Sequence, residues 1–447
     1  MTNRILILTA VILTAISSLS ARRSTAAKSR KPAAAAGSGP IAGRIAYVGE
    51  GRNLYVCGAA CAKPVCITCA SRAEQAFADG VTPAALNAGP QPLAGPAASY
   101  DLPTFSPDGG QIAYASAQRS RGGYSFAVNV YDFTRRPPIS IFQSPEHPIY
   151  LYWLPDGQRI FFLAENDNSL DLIIAEVREN RPVRVLLNGL PLFFDWNQAA
   201  GDLAFHYAPP EDKGPEQSGL MEITAAGQRV VKILSRGANP FRTPVWSPDG
   251  SHLAYVIDNQ RGEFVLTVAN ADGSAPRPMV GLAPGTTAFI WSPDSKSLAF
   301  STHKKEGRMS YDGINLLDLA SGNVTALVSD SVIAYAFSPN GKWLAYIGTG
   351  ETANTWNVIS PGGKPRKLCN FIASSAESAV YRVFDQYALS HRLWSPDSRA
   401  IVFAGGILKE GQAPALVSAS PSVWVLPVDG EAPRPIADGS VAFWSPR

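Results

Sequence analysis

Trp246-Ser247-Pro248-Asp249-Gly250-Ser251-His252-Leu253-Ala254-Tyr255 decides how the chain folds. An aromatic residue leads into a turn, and an apolar strand follows. In Ser247-Pro248-Asp249-Gly250 the Ser side chain can bond back to the chain, Pro presets φ, and Gly accepts the strained exit of a type I turn. The turn returns as Ser106-Pro107-Asp108-Gly109, Leu154-Pro155-Asp156-Gly157 and Ser338-Pro339-Asn340-Gly341. Copies around Ser295 and Ser398 lack the Gly and are expected to carry a slightly different turn. The copy at Trp196-Asn197-Gln198 has lost the Pro, yet Leu203-Ala204-Phe205 follows on schedule, as in a degenerate repeat.

The strand recurs as Ile45-Ala46-Tyr47, Ile112-Ala113-Tyr114, Ile160-Phe161-Phe162, Leu298-Ala299-Phe300, Leu344-Ala345-Tyr346 and Ile401-Val402-Phe403. The leading aromatics are Phe105, Trp153, Trp196, Trp246, Trp291, Phe337 and Trp394, with Trp444 at the end. The first strand lacks its leader and the last leader lacks its strand. A ring explains that mismatch, because the C-terminal strand can complete the unit begun at the N-terminus. A period of roughly 45–50 residues with several short strands per repeat is the signature of a β-propeller. Third strands are read at Val128–Tyr131, Val265–Val268, Ile314–Leu317 and Val423–Val425, and fourth strands at Val230–Leu234 and Pro278–Val280. The expectation is an all-β propeller over 43–447, of eight four-stranded blades closed by the C-terminal strand on the N-terminal blade. Seven blades is the alternative. No long amphipathic helix is expected.

The repeated Asp suits a turn that every blade needs, and the Trp/Phe series suits the space between neighbouring sheets. Both build the fold and say little about function.

The unit Trp-Ser-Pro-Asp-Gly-x-x-Leu/Ile-Ala-Tyr/Phe resembles the WD40-like repeat of TolB-type β-propellers over most of 43–447. The resemblance implies an extracytoplasmic propeller that works as a protein-binding platform. TolB itself has six blades and a separate N-terminal α/β domain. Eight blades and the short stretch before Gly43 depart from that plan, so TolB's own partners do not transfer. Eight blades are also similar to the dipeptidyl peptidase type of prolyl oligopeptidase relatives, which append an α/β-hydrolase domain. The chain stops at Arg447 and carries no Gly-x-Ser-x-Gly elbow, so no hydrolase is expected.

Arg4 and the apolar run from Ile5 to about Leu19 read as a secretory signal over 1–21. An uncleaved anchor is the alternative, although the run is short of the ~20 apolar residues that span a bilayer. Residues 22–42, rich in Ala, Ser, Pro and Lys/Arg, read as a flexible linker. Six of the 39 Lys and Arg precede Gly43 and none of the 36 Asp and Glu does, which leaves 33 against 36 in the propeller. That balance has no overall basic excess of the kind nucleic acid requires. A periplasmic or extracellular protein follows, with membrane tethering by the leader as the alternative. No stable membrane span is expected once the leader is removed.

Cys57, Cys61, Cys66 and Cys69 form a C-x3-C-x4-C-x2-C hairpin insertion over 57–69. Two local disulfides fit an oxidising compartment, and a tetrahedral zinc site or a redox role are the other readings. Cys369 is expected to be a buried free thiol. The five histidines, His147, His206, His252, His303 and His391, are scattered, which suits structural or solvent-facing roles better than a metal centre. No cofactor is expected.

Long insertions fall at Ala208–Ser218, Thr302–Asp312, Gly405–Pro421 and Asn370–Arg392, with a smaller one at Gln118–Tyr124. They are second-to-third-strand loops or inter-blade connections, which emerge on one face; insertions gathered there suit a binding face, and tolerated loop drift is the alternative reading. Phe371, Tyr381, Arg382, Phe384, Tyr387 and Arg392 are the candidate contacts to a protein or envelope component, since aromatics and Arg form hot spots. A lid over the central channel is the other reading of this segment. Trimming Ala373–Ser390 is expected to leave the fold intact and weaken binding. A non-catalytic binding module is the first expectation. An enzyme acting on carbohydrate or peptide at the channel mouth is the second.

Overall fold

The repeat builds sheets one after another. A computed structural model describes residues 40–69, 98–120, 123–166, 168–197, 201–210, 214–224, 227–236, 243–258, 263–283, 285–303, 310–409 and 421–447. The leader and most of the linker lie outside the described residues, as do parts of four of the insertions.

Among the described residues seven antiparallel sheets follow in chain order, six of four strands and one of seven. The first unites Arg44–Val48, Leu54–Gly58 and Val65–Cys66 with Val441–Trp444 from the other end of the chain. Ile45 pairs with Trp444 and Val48 with Val441, so the ring closes where the unmatched strand and leader indicated. The second to sixth sheets span 98–144, 148–189, 192–236, 245–282 and 286–328. The degenerate repeat at Trp196 makes a full four-stranded sheet.

The seventh sheet, 332–438, fuses two units. Its fourth strand, Arg366–Ala373, pairs with Ala400–Ile407 through Phe371↔Ile407 and Ala373↔Gly405. The leading strand of the last unit is reduced to a bridge between Trp394 and Ile401. That leaves the upper edge of Ala400–Ile407 open, and the preceding strand fills it.

The leading strands of the second and third sheets pack together, as do those of the fourth and fifth. The aromatic series fills the gaps as read. The indole N–H of Trp153 donates to Thr104 O (3.0 Å), that of Trp291 to Val245 O (3.1 Å) and that of Trp394 to Ala336 O (3.1 Å). Each is a carbonyl on the leading strand of the unit before it.

The turns repeat one hydrogen-bond set. Ser247 Oγ donates to Asp249 Oδ1 (2.6 Å) and accepts from His252 N–H (3.0 Å), and Gly250 N–H donates to Ser247 O (2.8 Å). Gly250 sits at φ 72°. The copies without Gly keep the same turn, contrary to expectation: Ser295 and Ser398 adopt φ 61° and 62°. Their hydroxyls explain the exception. Ser295 Oγ accepts from Asp249 N–H (3.1 Å) and Ser398 Oγ from Asn340 N–H (3.0 Å), tying each turn to the one before it.

Candidate functional site

The segment after Ala373 leaves the sheet and folds as two short helices, α1 (Ser375–Tyr381) and α2 (Phe384–Tyr387). Ser374 caps α1, its Oγ accepting from Glu377 N–H (3.0 Å) and donating to Ser440 O. Ser374-x-x-Glu377 has the spacing of a capping box, a signal in the sequence that identifies this helix. The Glu does not complete the box. Fully buried, its Oε1 instead accepts from Ala404 N–H (2.9 Å) and Ala442 N–H (3.1 Å). Burial pushes its carboxyl up to about 8, against the pull of those two donors.

The helices occupy the axis. α1 packs on Ala400–Ile407 and Val441–Trp444, and α2 on the leading strands of the fourth, sixth and seventh sheets. Tyr150, on the third sheet, donates its hydroxyl proton to Gln386 O, and Thr104 Oγ1, on the second, donates to Ser390 O (2.7 Å). Phe384 lies against Tyr335 (4.5 Å between centroids) and edge-on to Tyr311 (6.2 Å). His391 stands edge-on to Phe443, and burial lowers its imidazole to about 3, so it is neutral. The segment is a plug fastened to most of the sheets around it.

This placement changes the reading of the six residues. Phe371 stacks on Trp356 (5.5 Å) and meets Phe403 edge-on; Tyr381 also packs against Trp356. Phe371, Tyr381 and Phe384 are buried core rather than surface anchors. Phe371 belongs to the strand Arg366–Ala373 itself, while Tyr381 and Phe384, on the segment crossing the axis, find the apolar surfaces of the sheets around it, and burial removes all three from water. Arg382 is exposed, and Tyr387 ends α2. Arg392 is half-buried; burial lowers its guanidinium pKa, with Tyr152 acting the other way. Trimming Ala373–Ser390 would therefore strip buried side chains from two core clusters, so the segment belongs to the fold.

The four clustered cysteines stand as two close pairs, Cys57 with Cys61 and Cys66 with Cys69, their Cα atoms 4.9 and 5.6 Å apart. Cys369 is free and half-buried in its fourth strand, and burial pushes its thiol up to about 12. His206 is buried with its ring nitrogens 2.8 Å from Ser218 Oγ and 2.7 Å from Glu216 Oε1. Among the described residues no group of His, Cys, Asp and Glu is placed to hold a metal ion, and no helix is long and apolar enough to cross a membrane.

A closed ring of antiparallel sheets around a filled axis defines a β-propeller. No family model matches the chain. TolB of the Tol-Pal system from Alcanivorax borkumensis is 33% identical over 90 residues, 20% of either chain. The uncharacterized peptidase YuxL of Bacillus subtilis is 26% identical over 146 residues, 25% of this chain and 22% of that one. The chain thus matches about a fifth of the length of these curated relatives. A solved prolyl endopeptidase shares the fold at 12% identity and a TM-score of 0.52, covering 77% of this chain and 50% of that one. The chain is similar to TolB-type propellers and is not TolB itself.

Proposed function

We propose that the protein is an exported, non-catalytic propeller that binds a protein or other envelope component through its insertion face. The observation that carries this reading is the plug. A channel-mouth enzyme needs its substrate on the axis, and here the axis is taken by α1 and α2, fastened by Glu377, Ser374, Tyr150 and Thr104. Filling the axis makes the ring a rigid support, and the loops around it remain for recognition.

In this reading the seven-stranded sheet counts as two blades, Trp394 supplying the leading strand of the last, which gives eight. Residues 1–21 are the export signal, 22–42 the linker and 43–447 the propeller, working in the periplasm or outside the cell. The cysteine pairs are disulfides that pin the hairpin insertion, as suits an oxidising compartment. Of the six residues first read as contacts, exposed Arg382 stays a candidate for touching a partner.

The test is photo-crosslinking from the two faces of one sheet. Glu351 lies in a second-to-third-strand loop and Lys342 in a turn on the opposite face, and both are exposed. A crosslinker at Glu351 is expected to capture a partner in envelope extract that one at Lys342 does not. Equal capture from both faces, or none, would count against the reading.

A further inference from the structure

The two cysteine pairs have different surroundings within one hairpin. Cys57 and Cys61 are 5% and 9% exposed and belong to the core cluster of Ile45, Tyr47, Ala442 and Trp444. Cys66 is half-buried at the end of the two-residue strand Val65–Cys66, and Cys69 is exposed. The pairs close loops of nearly equal length, with sequence separations of 4 and 3, so chain entropy does not set them apart. Access does, because a thiol must reach a disulfide sulfur to open the bond.

Cys66-Ile67-Thr68-Cys69 carries two further features of exchange chemistry. Cys69 N–H donates to Cys66 Sγ (3.0 Å), and an N–H aimed at the sulfur favours its thiolate. The residues between the two cysteines are also fastened independently of the bond. Ile67 N–H donates to Leu54 O (2.8 Å), and the Ile67 side chain is buried in the cluster of Ala46, Leu54 and Val56. Thr68 Oγ1 accepts from Leu54 N–H (2.9 Å) and donates to Asn53 Oδ1 (3.0 Å). Opening the bond therefore leaves both thiols held close together, ready to close again.

We propose that Cys66 and Cys69 form a thiol–disulfide exchange site, while Cys57–Cys61 stays structural. The proposal rests on the reading of the four cysteines as two disulfides. A donor thiolate attacks exposed Cys69 Sγ, the Cys66–Cys69 bond breaks, and Cys66 leaves as a thiolate that accepts from Cys69 N–H. A second donor thiolate attacks the incoming sulfur, which forms the donor's own disulfide and releases Cys69. The pair gains two electrons and two protons, and the donor loses them. A more oxidising disulfide closes the pair by the same steps in reverse. The reactant class is a thiol, for which glutathione is the probe.

The test equilibrates the intact protein in glutathione buffers from oxidised to reduced, traps free thiols by alkylation and locates them by peptide mass spectrometry. Cys66–Cys69 is expected to open within this range. Cys57–Cys61 is expected to stay closed until dithiothreitol is added, a difference of about tenfold or more in equilibrium constant. The Tm of the selectively opened protein is expected near that of the oxidised one, because Ile67 and Thr68 keep their bonds. Both bonds opening together, Cys57–Cys61 opening first, or Cys66–Cys69 resisting glutathione overturns the proposal. Alkylation of all four residues in the untreated, denatured protein would instead overturn the disulfide reading, and the proposal with it.

Discussion

Glu377 Oε1, on the first plug helix, accepts a hydrogen bond from the backbone N–H of Ala442, on the strand that closes the ring, at 3.1 Å. The same oxygen accepts from Ala404 N–H, so one buried carboxyl joins the plug, the last sheet unit and the closure. Burial holds that carboxyl at about 8, against an ordinary value of 4.5. Between those values the folded protein keeps a proton that the unfolded chain releases. Stability therefore falls as pH rises through that window and levels above it. Glu377→Gln keeps the accepting oxygen and is expected to flatten this dependence, read from urea midpoints at about pH 5 and about pH 9. Glu377→Ala leaves two buried N–H groups without partners, at about 1–3 kcal/mol each.

Ser295 separates two effects in one residue. Its φ of 61° disfavours a side chain, while its hydroxyl accepts from Asp249 N–H. Ser295→Gly relieves the strain and loses the bond, so a change within about 1 kcal/mol is expected. Ser295→Ala keeps the strain and loses the bond, and is expected to be the less stable of the two. Chemical denaturation of both variants decides it; Ala matching or exceeding Gly would contradict this division.

Closure depends on Trp444, 1% exposed and paired with Ile45. Trp444→Ala is expected to cost about 3–5 kcal/mol, as large buried aromatics do. A calorimetric transition that barely moves would show that the ring holds without this anchor.

The cysteine hairpin is checked by counting thiols in the denatured, unreduced protein. One, Cys369, is expected to react with a maleimide, and all 5 after reduction. Five reactive thiols before reduction would remove the disulfides, and bound zinc by elemental analysis would replace them.

Much of the fold was legible because each repeat must satisfy the same local demands. Ser247-Pro248-Asp249-Gly250 reads as a turn, Leu253-Ala254-Tyr255 as a buried strand, and the offset between Ile45 and Trp444 as ring closure. The plug was not. Periodicity shows where a strand stops but not whether the next segment stays at the rim or crosses the axis. Phe371, Tyr381 and Phe384 look alike as surface anchors and as core. The cap at Ser374 and Glu377 was the available local signal for a helix.

The most direct measurement is amide hydrogen exchange across 374–391, compared with the strands Ala400–Ile407 and Val441–Trp444. A fixed plug is expected to exchange as slowly as those strands and to lose protection together with them as denaturant is added. Fast exchange of the helical segment under conditions where the strands stay protected would make it a mobile lid. That result would open the axis to a substrate and contradict the filled, non-catalytic ring.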